Sequence, residues 1–192
     1  MAMALRLPRT FDEFLDWEER QAERYEFVDG RIYAMSGGTG DHAQIAVNII
    51  VALRPKLRGS DCRAVGSDLK LVVRATGRSF YPDVMVRCGQ PVGQDESADD
   101  PVVLFEVLSR STFEHDLITK RRSYSAIPSL RMVAYVSQEK AHVYYLLRDA
   151  DGGWNDDEIE GLDATLVIEP LDASLFMAEI YEDTTVAAAD MR

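Results

Sequence analysis

Two carboxylates and a lysine break the local rules of the segments that carry them. In "VVLFEVL" Glu106 is flanked on both sides by apolar residues, and in "SFYPDVMV" Asp83 stands at the entrance of a second apolar run. A carboxylate on a hydrophobic strand must be paired, hydrogen-bonded or metal-bound, because leaving it ionised and alone costs at least several kcal/mol. From Ser111 to Ile127 the apolar stripe is Phe113, Leu117, Lys120, Tyr124 and Ile127, at spacings of 4, 3, 4 and 3, so Lys120 falls on the inward face. Asp116, four residues earlier, is placed to pair with it. Two carboxylates at one sheet end make an oxygen-rich site for Mg²⁺ or Mn²⁺, shared with water and phosphate oxygens. An inward lysine would orient or deprotonate the attacking water or stabilise charge on a pentavalent phosphorus. Metal-assisted phosphodiester hydrolysis uses all three. The same residues also fit a buried salt bridge, Lys120 with Glu106 or Asp116, that only holds helix to sheet.

The elements that must position these groups are legible as patterns. Thr10 and Glu13 form a capping box before a short amphipathic helix with Phe11, Phe14, Leu15 and Trp17. "YEFVDGRIYAM" reads as a hairpin turning at Asp29-Gly30. A glycine-rich loop, "SGGTGDH", follows; with no GK[ST] after it, it is not a phosphate-cradling loop. Ile45, Ile49 and Leu53 recur at helical spacing and predict a helix from His42 to Leu57, ending near Gly59. "RAVGSDLKLVV", "SFYPDVMV" and "VVLFEVL" read as three strands, and Ser111 with Glu114 as a second capping box opening a helix that Pro128 stops. "RMVAYVS" and "AHVYYLL" make two more strands around "QEK". The order α-β-β-α-β-β-β-α-β-β predicts an α/β fold, helices around one mixed sheet.

Length and composition predict one domain over residues 1–192. The longest uncharged stretch near the N-terminus, His42 to Leu53, is well short of the roughly 20 residues of a membrane span. The opening lacks the apolar segment of a secretory signal, so a cytoplasmic location is expected. Cys62 and Cys88 form no CxxC pair and are expected to be reduced thiols without zinc. The net charge of −12 is uneven: from Asp149 onward there are 13 acidic residues and one Arg, an acidic tail whose last segment, 182–192, is expected to fray. The span Arg54 to Arg87 holds eight basic residues against Asp61, Asp68 and Asp83, a local excess that suits a polyanion or a solvated basic face.

Asp83 in "YPDVMV" and Glu106 in "FEVLS", with 22 residues between them, resemble the PD-(D/E)xK signature of the restriction-endonuclease-like superfamily. More narrowly, "RYEFVDGRIYAMSGGTGDH", "GSDLKLVV", "YPDVMV", "EVLSRST" and "HDLITKRRSYSAI", in that order over roughly residues 8 to 180, look like the Uma-type family of bacterial restriction endonucleases, a domain-of-unknown-function group. The resemblance implies a four-stranded mixed core sheet flanked by helices, with Asp83 and Glu106 as ligands of Mg²⁺ and with help from Glu26, His42 and Asp68. It also implies a DNA duplex as substrate. Cutting both strands takes two sites, hence an expected homodimer. The usual lysine two residues after the glutamate is Leu108 here, and the family's displaced lysine corresponds to Lys120.

Taken as residues alone, Glu26 between Tyr25 and Phe27 also fits an exposed strand position, His42 a loop histidine, and Asp68 a turn cap. Arg121 and Arg122 point towards solvent or a DNA backbone. The competing reading is a nuclease-derived protein that binds or scaffolds without cutting.

Overall fold

The computed structural model describes residues 7–35, 37–89, 93–109 and 113–190, with only the backbone of 113–117 and 190. Helix α1 (Phe11–Glu18) starts at the expected capping box, the Glu13 N–H donating to Thr10 Oγ1 at 3.2 Å. Strands β1 (Tyr25–Val28) and β2 (Arg31–Ala34) form the hairpin. Its two turn residues, Asp29 and Gly30, take φ of 50° and 77°, the left-handed pair that a two-residue turn between twisted strands requires. Helix α2 (Gly40–Lys56) is capped by Thr39, which accepts from the His42 N–H.

The middle of the chain is divided more finely than its apolar runs predict. "RAVGSDLKLVV" is two strands, β3 (Cys62–Gly66) and β4 (Lys70–Val73), and "SFYPDVMV" is also two, β5 (Arg78–Phe80) and β6 (Val84–Cys88). There follow β7 (Ser97–Ala98), β8 (Pro101–Leu108), α3 (Phe113–Tyr124), β9 (Met132–Ser137), β10 (His142–Arg148), β11 (Trp154–Glu160), β12 (Thr165–Ile168), β13 (Ala173–Phe176), α4 (Met177–Ile180) and α5 (Thr185–Asp190). The capping box expected at Ser111 and Glu114 falls outside the described residues, as does the side chain of Asp116.

Instead of one sheet there are two larger ones and a two-stranded hairpin. A six-stranded mixed sheet runs β11-β10-β9-β8-β6-β3, and a five-stranded sheet runs β2-β1-β5-β4-β7. β12 pairs with β13 alone. Within the larger sheet β8 and β9 are parallel, so α3 is the crossover between them. Strand alternation then sorts the core. Val103, Phe105 and Val107 of β8 pack with Ile45, Ile49 and Leu53 of α2 and with the β12–β13 hairpin, while Leu104 and Leu108 face Tyr124 of α3 and Leu71 and Phe80 of the smaller sheet. The α/β class is as expected, and the two-sheet arrangement explains the split runs. The chain leaves the smaller sheet after Phe80 and enters the larger at Val84, and Pro82, which has no N–H to leave unpaired, sits in that crossing.

One further expectation is overturned. Cys62 and Cys88 are directly opposite one another on β3 and β6 and are joined as a disulfide, because their register makes them neighbours although 26 residues separate them. The described part of the acidic tail packs against the body. Val186 and Thr184 are buried, and Asp41 at the start of α2 accepts the Thr185 N–H, so apolar packing outweighs the acidity of its neighbours. No helix among the described residues is long and apolar enough to cross a membrane.

Candidate active site

The crossing at Tyr81-Pro82-Asp83 delivers Asp83 to the seam between the sheets. Val84 pairs with Phe105, and continuing that antiparallel register by one residue sets Asp83 beside Glu106. The Asp83 Oδ2 accepts the Val107 N–H at 2.7 Å, so the backbone of β8 fixes its carboxylate. Glu106 shares the face of Leu104 and Leu108 and is 3% exposed. Its Oε2 accepts from Lys120 Nζ at 2.8 Å and its Oε1 from the buried Tyr124 hydroxyl. Lys120 and Tyr124, four apart on α3, thus hold one oxygen each. The inward placement read from the 4-3-4-3 stripe is the observed one for Lys120, Tyr124 and Ile127.

The smaller sheet contributes Glu26 from β1. Its Oε1 accepts the Tyr81 N–H at 3.1 Å and lies 4.0 Å from Lys120 Nζ, so the ammonium stands between Glu26 and Glu106. His42, in the first turn of α2, brings its Nε2 to 3.4 Å from Asp83 Oδ2. A Cβ added to Gly38 would lie 2.7 Å from the His42 ring, so the glycine-rich loop is small where it must lie flat against the imidazole. These side chains, with Tyr33, Gln138 and Ser109, line a cavity of about 450 Å³.

Burial sets the electrostatics. Desolvation pushes the Glu106 carboxyl up to about 7, with the nearby Asp83 charge adding to the rise, while Lys120 and the Tyr124 hydroxyl pull it back. Burial, reinforced by the Glu106 charge, raises the Tyr124 phenol well above its ordinary range, so it stays a donor. The hydrogen bond with Asp83 raises the His42 imidazole and outweighs its desolvation. The site therefore gathers three carboxylates around one ammonium, with the His42 imidazole beside Asp83.

The structure brings together Asp83, Glu106, Lys120, Glu26 and His42. Asp68 lies elsewhere: its exposed carboxylate pairs with Arg24 at the β3–β4 turn and lines an adjoining recess of about 680 Å³, which shares Met35, Gly37, Gly38, His42 and Asp83 with the cavity. Arg121 donates to the Tyr144 hydroxyl at 3.2 Å on β10, and Arg122 is exposed on α3. Neither lines the cavity.

Several supporting residues were not singled out in the sequence. Lys70 is buried and bonded to Glu18 at 2.7 Å, and Glu18 also accepts from the Tyr81 hydroxyl. Tyr81 thereby ties a buried ion pair to Glu26 through its own N–H. Arg78 joins Asp29 of the hairpin turn to Ser123 of α3, one turn from Lys120. The signal was available for Lys70, a charge within the apolar run "DLKLVV" just as Glu106 is within "VVLFEVL".

Comparison with known proteins places the fold and the family. The crystal structure of a "putative nuclease belonging to DUF820" from Anabaena variabilis superposes with a TM-score of 0.70 at 14% identity, covering 91% of this chain and 98% of that one, which shows a shared fold. The uncharacterized protein slr1290 of Synechocystis sp. is 36% identical over 147 residues, 74% of this chain and 76% of that protein. A second uncharacterized Synechocystis protein, sll1609, is 29% identical over 160 residues, 82% of this chain and 90% of that protein. Residues 11–178 match the model of the Uma2 family, described as "Putative restriction endonuclease", and the chain belongs to that family.

Proposed function

We propose that the protein is a metal-dependent DNA endonuclease that hydrolyses a phosphodiester bond in the cavity between its two sheets. One observation carries the reading: the three residues that violate their local patterns, Asp83, Glu106 and Lys120, come from three different elements and face the same cavity. The donor set suits Mg²⁺ or Mn²⁺, since Asp83 and Glu106 offer hard oxygens, and a divalent cation would offset both the burial that chiefly raises the Glu106 carboxyl and the Asp83 charge that adds to it. With Glu26, the carboxylate oxygens are not closed to within 4.8 Å of one another; among the described residues only Asp61, Cys62 and Cys88 meet that spacing, and both sulfurs are used in the disulfide. Glu26 accordingly serves Lys120 more directly than it serves a cation.

Asp83 and Glu106 would hold the divalent cation, which would supply charge neutralisation at the scissile phosphate. The chain's own residues do the rest. Lys120, exchanging its bond to Glu106 for one to the attacking water or the phosphate, keeps a positive charge where negative charge develops, with Glu26 4.0 Å away to hold it. His42, its Nε2 3.4 Å from Asp83, lines both the cavity and the adjoining recess, where its protonated form would hold a phosphate oxygen. Cutting both strands of a duplex takes two such sites, so a pair of copies belongs to the proposal.

The test is the nicking of supercoiled plasmid in Mg²⁺ or Mn²⁺ by wild type and by Asp83→Asn, Glu106→Gln and Lys120→Met, each checked for folding by its melting curve. The expected result is nicking by wild type and a loss of at least about 100-fold in folded variants. Equal nicking by all four overturns the mechanism. The closed Lys120–Glu106 pair, together with Leu108 at the customary lysine position, favours a second reading, a nuclease-derived protein that binds without cutting. Wild type that binds duplex but nicks in neither ion, and takes up no Mn²⁺ by calorimetry, would establish that reading instead.

A further inference from the structure

From its first turn, α2 runs away from the cavity, and its exposed flank carries a continuous groove. His42, Ala46 and Ile50 line the recess beside the cavity, and Ile50 also begins the next depression, about 440 Å³, between the second half of α2 and β3. That depression is walled by Arg54, Leu57, Arg58, Arg63 and Val65. β3 is the edge strand of the larger sheet, so this wall is open to solvent.

The outer depression differs in charge from the recess before it, which Glu23, Asp68 and Asp83 line beside Arg24. The protein has 33 acidic residues and 21 basic ones, yet Arg54, Arg58 and Arg63 are exposed side by side, and no carboxylate lines the depression or pairs with any of them among the described residues. Arg63 is held instead by two backbone carbonyls, those of Asp61 and Gly89, which presents its guanidinium at the edge without neutralising it. Three unneutralised guanidinia in one groove repel one another and are matched by a ligand carrying regularly spaced negative charges.

We infer that this groove is the track of the DNA backbone leaving the active site, with Arg54, Arg58 and Arg63 each holding a phosphate. The inference rests on the nuclease reading above and specifies where its substrate lies. The dimensions agree: His42 to Arg54 spans 12 residues of α2, about 18 Å at 1.5 Å per residue. At about 3.4 Å per nucleotide along the duplex axis, the first arginine meets the strand about five nucleotides from the cleaved bond. The acidic β11 lies at the opposite edge of the same sheet, so the charge asymmetry also orients an approaching polyanion.

The experiment measures binding of a fluorescent 20-base-pair duplex by anisotropy, in EDTA so that nothing is cut, across a salt series. Wild type is compared with the triple variant Arg54→Gln, Arg58→Gln, Arg63→Gln and with Arg9→Gln, an exposed arginine that lines neither the recess nor the outer depression. The expected result is that the triple variant loses between two and three units of the log–log salt slope, about 0.9 per phosphate contact, and binds at least about tenfold more weakly at moderate salt, while Arg9→Gln matches wild type. Unchanged affinity and slope in the triple variant overturn the track and leave the nuclease reading standing. Failure of wild type to bind duplex at low salt overturns both. If the triple variant binds duplex as wild type does but sediments as a monomer where wild type is a dimer, the groove is a contact between copies and the inference falls.

Discussion

Lys120 reaches Glu106 Oε2 across 2.8 Å from a helix 14 residues further along the chain, where a lysine two residues after the glutamate would lie on the same strand. The longer route has a structural consequence. A strand lysine at position 108 would share the face of Glu106, but that space is filled by Leu108 in the core, whereas α3 crosses over the strand and lowers an ammonium onto it. The Lys120 ammonium is thereby built into the packing of helix on sheet.

This coupling separates stability from activity. Lys120→Met leaves a buried carboxylate without its ammonium and is expected to cost about 3–5 kcal/mol, whereas the double variant Glu106→Gln, Lys120→Met is expected to recover most of that loss or to exceed wild type. Urea denaturation measures both, and nicking should be absent in each. A double variant as unstable as the single one would contradict the account of the pair.

The pH dependence of the metal-free protein follows from two raised groups. The folded Glu106 carboxyl holds its proton up to about 7, against an ordinary value of 4.5, so between those values the folded state binds a proton that the unfolded state has released. Stability is therefore present at low pH and lost as pH rises through about 7. His42, raised by Asp83, acts in the same direction above 6.5. Melting temperatures in EDTA should fall from pH 5 to pH 8, and Glu106→Gln should flatten that fall.

Tyr124→Phe keeps the ring in the core and deletes the donor to Glu106 Oε1. The loss is expected to cost about 1–3 kcal/mol. Because that hydrogen bond also lowers the Glu106 carboxyl, its removal should raise it further and move the pH profile of nicking to higher pH. An unshifted profile would show that Glu106 does not titrate in the working range.

Joining Cys62 to Cys88 closes a loop of 26 residues, for which chain entropy predicts about 3.5 kcal/mol. Denatured protein should show no titratable thiol before reduction and two after it. Cys62→Ala with Cys88→Ala should lower stability by that order and leave nicking intact, since Cys88 ends the strand whose other end follows Asp83.

Much of the site was readable because the signals were local contradictions. Glu106 within an apolar run, Asp83 at the mouth of another and Lys120 on an apolar helical stripe each required a partner before any partner was known. The Asp29-Gly30 turn and the Thr10 capping box were readable for the same reason, since their geometry is decided within four residues. The two split runs were not, because β5 and β6 have the same β-rich composition on either side of Pro82, and only the choice of neighbours assigns them to different sheets.

The sequence by itself determined which residues needed partners, and with them the α/β class and the chemistry to be expected. Tertiary structure decided who the partners are: that Lys120 chooses Glu106, that Tyr124 takes the second oxygen, that Lys70 reaches back 52 residues to Glu18, and that two cysteines 26 residues apart stand opposite each other. The physical reason is range. Periodicity and capping act within one or two turns of chain, whereas desolvation and ion pairing act between whichever groups the packing of sheets and helices makes adjacent.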